Sequence, residues 1–154
     1  MIREEYITAA GVSLERLVLC VRDLPDDRFA LPLGSGAESV HALFADLSAR
    51  AERTVRALEL LYQGVDFNVE TMPSSAQAPA FKQTFANFRI GHTTLLAALE
   101  RIPLARFSAD GELPQWLLSH YLEPLQDSVP RVESWAGTLR STGHAGPTGL
   151  PVIQ

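Results

Sequence analysis

A chain of 154 residues, 46% hydrophobic and 20% charged, has the apolar material for a packed core and the length of one domain rather than two. Its net charge is −5 and its 13 Lys and Arg are spread along the chain, so no basic stripe exists to neutralise a phosphate backbone, and nucleic acid is not an expected partner. The apolar runs are short and broken by charge, below the roughly 18 residues of a membrane span, so no membrane association is expected either.

The opening Met1–Ile7 segment lacks a basic stretch followed by an apolar run, so it does not read as a secretory signal. The single cysteine, Cys20, has no partner for an internal disulfide. It lies in an apolar helical segment and reads as a small buried filler rather than a nucleophile. These features point to a cytoplasmic protein.

Four segments carry helical periodicity and none carries convincing strand alternation. The first runs from Arg3 to about Leu24, with Leu14, Leu17, Val18 and Val21 on one face; Pro25 and the Asp26–Asp27 pair end it. Phe29 to Gly36, with Pro32, Gly34 and Gly36, is a linker. The second helix starts near Ala37 with Ser35 or Ser39 as its N-cap, and Gly64 is its natural stop. Its stripe is Val40, Leu43, Phe44, Leu47, Ala51, Leu58 and Leu61, with Arg50, Arg53 and Arg56 off it.

The third helix begins between Ser74 and Pro79 and ends at Pro103, with a stripe of Phe81, Phe85, Phe88, His92, Leu95, Leu96 and Leu99. A fourth follows Pro114 to about Arg140. Its inner face includes Leu117, His120 or Tyr121, Leu125, Val132, Trp135 and Leu139, and Pro124 and Pro130 predict a kink or irregular turn inside it. Four helices with one apolar stripe each bury those stripes against one another. The expected fold is an all-α four-helix bundle over residues 1–140, with 141–154 a mobile or surface-draped tail. Connections of roughly 10–14 residues exceed those of a simple up-and-down bundle and leave room for a crossover.

The start of the second helix, Glu38-Ser39-Val40-His41-Ala42-Leu43-Phe44-Ala45-Asp46-Leu47, resembles the Trp-Ser-Val and Leu-Leu-Ala-His-Leu pattern of the DinB/YfiT-like superfamily. Glu38 stands at the tryptophan position and Asp46 at the usual histidine. Leu24 to Phe29 is similar to the family's connector between helices one and two. Near the end the family carries His-Tyr-x-Glu-His followed by Pro, an aliphatic residue and Trp. Two registers fit. In one, His120-Tyr121-Leu122-Glu123 opens the motif and Pro124 replaces the second histidine. In the other, Pro130, Val132 and Trp135 close it and the two histidine positions hold Pro124 and Ser128.

The resemblance implies a DinB-like bundle. In metal-binding members of that superfamily, a histidine of helix two and two residues of helix four, one turn apart, hold a divalent ion, because residues i and i+4 share a helical face. Here that leaves Asp46 with His120, or Asp46 alone, and proline donates no side-chain ligand. The favoured reading is a degenerate metal site with no cofactor, in a bundle that binds a small molecule or serves as an interaction module, with a homodimer expected. The alternative is a divalent-metal-dependent hydrolase or thiol-dependent transferase holding zinc, nickel or iron through Asp46, His92 and His120.

Asp46, His92, His120 and Glu123 are the candidate cavity residues. Three of them also have a plain structural reading: His92 as a hydrogen-bonded core histidine, Asp46 as solvated or paired with an arginine, and Glu123 with Asp127 as surface charge. His41 and His144 read as exposed and without a role. No Gly-rich phosphate loop, nucleophile elbow or CxxC pair is present.

Overall fold

The computed structural model describes residues 1–34, 36 and 38–141. Ser35, His144 and the expected tail beyond Ser141 lie outside the described residues. Four long helical segments form the bundle: α1 (Arg3–Val21), α2 (Val40–Gln63), α3 (Phe81–Arg101) and a composite α4. The last begins with Gln115–Leu117, passes through a π-helical turn at Leu118–Leu122 and continues as Glu123–Ser141. Short 3-10 turns at Asp26–Ala30, Val69–Thr71 and Leu104–Arg106 punctuate the connections. No strand occurs among the described residues, and no helix there is long and apolar enough to cross a membrane.

The helix boundaries follow local chemistry. Ser39, one of the two expected caps, is the N-cap of α2, and Ala37 lies outside the described residues: the Ser39 hydroxyl accepts from the Ala42 amide at 3.0 Å, satisfying one unpaired first-turn donor. Gly64 stops the helix in the left-handed region at φ 76°, and its amide reaches back to the carbonyls of Leu60 and Leu61. The third helix starts at Phe81, later than the prolines suggested, because Pro79 and its neighbours run along the bundle surface instead of opening a first turn.

Cross-helix contacts fix the directions. Met1 and Leu113, Tyr6 and Leu117, Arg16 and Glu133, and Cys20 and Arg140 pair in the same order, so α1 and α4 are parallel. His41 pairs with Thr84 and Ala51 touches Gly91, so α2 and α3 are also parallel. Arg131 meets Glu38 while Arg50 meets His120, which makes α4 antiparallel to α2. Arg3 bonds the carbonyls of Leu99 and Ile102, which makes α3 antiparallel to α1. The topology is up-down-down-up, with α1 against α4 and α2 against α3 as the closest pairs.

Two parallel neighbours joined in sequence require a crossover. A helix of 24 residues is about 36 Å long, and residues 64–80 must return along that length, within reach of an extended segment. The crossover that the long connections left room for is therefore real.

The core lies between the two helix pairs. Tyr6, Leu17, Phe44, Leu47, Leu58, Phe88, Leu95 and Leu125 are fully or nearly fully buried there. Phe44 meets Phe81, Phe85 and Phe88 edge-on, and Phe29 from the first connection stacks on Phe81 with centroids 3.7 Å apart. This aromatic row is the predicted α3 stripe. Cys20 is buried, and burial raises its thiol pKa, which suits a filler rather than a nucleophile.

Candidate functional site

The irregularity foreseen in helix four takes the form of the π turn, and its origin is Pro124. In an α-helix the carbonyl of His120 would accept from the amide of residue 124, but proline has no N–H and its ring crowds that carbonyl. The chain widens instead, and the Glu123 amide bonds Leu118, five residues back. Arg50 of α2 then supplies the missing donor, its Nη1 lying 3.0 Å from the His120 carbonyl oxygen. The helix continues through Pro130 without a second break.

The wide turn sits at the centre of the bundle, so His120, Tyr121 and Leu122 are all buried in succession. The sequence pattern offered His120 or Tyr121 for the interior; the structure uses both, on different sides. His120 faces α2 and the crossover. Arg53 Nε is 3.3 Å from His120 Nε2, and Glu70 Oε1 is 3.4 Å from Nδ1. A guanidinium only donates, so Nε2 must accept and the ring proton belongs on Nδ1, toward the glutamate. Burial depresses the His120 pKa most, Glu70 opposes that shift, and Arg50 and Arg53 add to it. Arg53 also reaches Ser74 Oγ at 3.4 Å, tying the crossover to the same cluster.

Tyr121 points the other way. Its hydroxyl is 2.7 Å from Nδ1 of His92, and nearby Tyr6 donates to the Leu117 carbonyl at 3.1 Å. His92 is 2% exposed, and burial pushes its pKa down to about 4, so it is neutral at physiological pH. This is the hydrogen-bonded core histidine of the plain reading.

The remaining candidates lie apart from these two. Asp46 is half exposed and forms an i,i+4 pair with Arg50 Nε at 2.8 Å, the arginine pairing anticipated for it. Glu123 is exposed. Ser128 is buried and donates to the Leu125 carbonyl at 2.6 Å. Among the described residues no three His, Cys, Asp or Glu side chains converge as a metal-binding group, so Asp46, His92 and His120 do not form the three-ligand set. The reason is directional. His120 turns its ring to α2 and the crossover, His92 hands its Nδ1 to Tyr121, and Asp46 is held outside by Arg50.

His41, expected to be exposed, is half buried: its Nε2 lies 2.7 Å from the buried Thr84 hydroxyl and its ring meets Phe81 edge-on. Arg50, Arg53 and Glu70 were not singled out by sequence. The Asp46–Arg50 spacing was the one available signal, since it predicts the helical pair that aims Arg50 at α4. Glu70 sits in a connection with no periodicity to reveal it.

A second feature lies on a neighbouring face of α2. A cleft of about 420 Å³ runs between α2 and α3 beneath residues 75–78 of the crossover, and none of the four candidate residues lines it. The fold and these sites together define an all-α, up-down-down-up bundle with a π turn packed against an arginine pair. No protein-family model, curated protein or solved structure matches the chain.

Proposed function

We propose that this protein is a DinB-like helical bundle whose metal position has been rebuilt as an arginine–histidine–glutamate contact, and that it acts as a small-molecule-binding module without a cofactor. The observation that carries this reading is the setting of His120. Its two ring nitrogens face Arg53 and Glu70, and Arg50 caps its carbonyl. A divalent cation at Nε2 would have to displace one guanidinium and sit beside another, with Pro124 offering nothing a turn later. The family resemblance rests on the motifs around Ser39–Leu47 and His120–Trp135. The α2–α3 cleft supports the binding role, because ligand sites in bundles form between helices.

Elemental analysis of protein purified without an affinity tag tests it. The expected result is no stoichiometric zinc, nickel or iron, before or after reconstitution. One equivalent of any of them, lost in His120→Ala, would establish the metal-dependent hydrolase or transferase instead.

The reading extends to a homodimer. Val12 and Leu19, two turns apart on the outer face of α1, are 49% and 52% exposed, an apolar pair that a twofold partner would cover. Sedimentation at micromolar concentration is expected to give a dimer that Leu19→Glu dissociates, and a wild-type monomer would remove this part of the reading.

A further inference from the structure

The cleft between α2 and α3 is floored by small side chains. Ala45, Ser48 and Ala49 lie on one wall and Gly91 and Thr94 on the other. Gly91 lets the helices close up, since a Cβ there would come within 3.1 Å of the Ala51 methyl. The crossover forms the roof and is fastened in place. Both carboxylate oxygens of Glu52 lie 3.1 Å from the Ser75 amide, and one also accepts from its hydroxyl at 3.0 Å. Arg53 holds the neighbouring Ser74.

Two further charges line the cleft, Arg56 and Glu59, and neither makes a hydrogen bond or ion pair among the described residues. They lie three residues apart on one helix, close enough for both to engage a single small molecule. An unpaired guanidinium is a fork for a carboxylate, and an unpaired carboxylate is an acceptor for an ammonium. From this roofed cleft and its two uncommitted charges of opposite sign, we propose that the cleft binds a small zwitterion, a free amino acid or a molecule of that size, with its carboxylate on Arg56 and its ammonium on Glu59. This names the ligand class of the binding role proposed above and rests on that reading.

The test is an amide-resolved NMR titration of the full chain. The probes are the twenty free L-amino acids, then the N-acetyl and carboxamide derivatives of any that bind, with acetate, ethylamine and glycerol as single-charge and uncharged controls. The expected result is that at least one amino acid shifts the amides of Ser48, Glu52, Gly91 and Thr94. Loss of either ligand charge, or Arg56→Gln or Glu59→Gln, should weaken binding about tenfold, the scale of one charge-assisted hydrogen bond.

These substitutions are at exposed positions, and unchanged spectra away from the cleft would verify that the variants fold. Equal binding of the acetylated or amidated derivative, or shifts confined to residues around His120, would overturn the zwitterion cleft while leaving a small-molecule module standing. No response to any compound would overturn the cleft proposal. Stoichiometric metal in the separate elemental analysis would overturn the metal-free reading, so the two failures are distinguishable.

Discussion

Acidification from about pH 7 to about pH 5 is expected to weaken the fold by about 2 kcal/mol through His92 alone. The ring is 2% exposed, and burial lowers its pKa from 6.5 in the unfolded chain to about 4 in the folded protein. The unfolded state therefore takes up a proton as pH falls through 6.5, while the folded state stays neutral until near pH 4. Protons favour the state that binds more of them, so the stabilisation is fully present above 6.5 and is lost progressively between 6.5 and 4. His120 acts in the same direction, since its pKa is also lowered. The paired carboxylates whose pKa values are depressed, Asp110 and Glu133, act at lower pH, as their unfolded values are 3.8 and 4.5.

Urea unfolding midpoints measured across this window give the slope. His92→Gln keeps a polar group beside the Tyr121 hydroxyl but does not titrate, and its profile should be flatter by about 2 kcal/mol over the same range. If wild type and variant lose stability in parallel, His92 is not held neutral by burial and the assignment is wrong.

Much of the fold was legible because burial leaves a periodic trace. The stripes of α2 and α3 were read residue by residue, and Leu43, Phe44, Leu47, Ala51, Phe88, Leu95 and Leu99 are buried as expected. The helix directions left no such trace. A crossover shows in sequence only as a connection of unusual length, and which helices lie parallel depends on pairings such as Arg16 with Glu133, more than a hundred residues apart. The interior of helix four was half legible. Pro124 announced an irregularity, but a π turn that buries consecutive residues on different sides has no hydrophobic period of its own.

The candidate site was harder still, because a residue type does not specify its orientation. His92 and His120 both lie inside the bundle, yet one ring faces Tyr121 and the other faces Arg53 and Glu70. A three-histidine or histidine–carboxylate set reads as a cluster in sequence only when one helix face carries most of it. Here the groups came from three helices and a loop. Arg50 and Arg53, which stand beside His120, lie off the apolar stripe and therefore look like solvated surface in the sequence.

Replacing Arg50 by methionine is expected to cost about 2 kcal/mol, because it leaves the part-buried carbonyl of His120 without a donor while preserving most of the apolar stem. The Asp46 pair lost with it is an exposed i,i+4 contact and contributes only about 0.3–0.5 kcal/mol. The carbonyl depends on Arg50 for one reason: residue 124 has no N–H. Pro124→Ala restores a backbone donor one turn along and removes the ring that crowds the carbonyl. In that background Arg50→Met should cost under about 1 kcal/mol, giving a coupling between the two positions of roughly 1 kcal/mol or more.

A four-member mutant cycle by urea denaturation measures that coupling. Equal costs for Arg50→Met in both backgrounds would mean that the guanidinium stabilises the bundle by packing or charge, not by completing the helix. The predicted coupling would tie the proline of helix four to an arginine of helix two. It would also explain why Arg50 stands beside His120, which one register of the resemblance places at a ligand position: the π turn needs a donor there, and a cation so placed opposes a metal ion at the same residue.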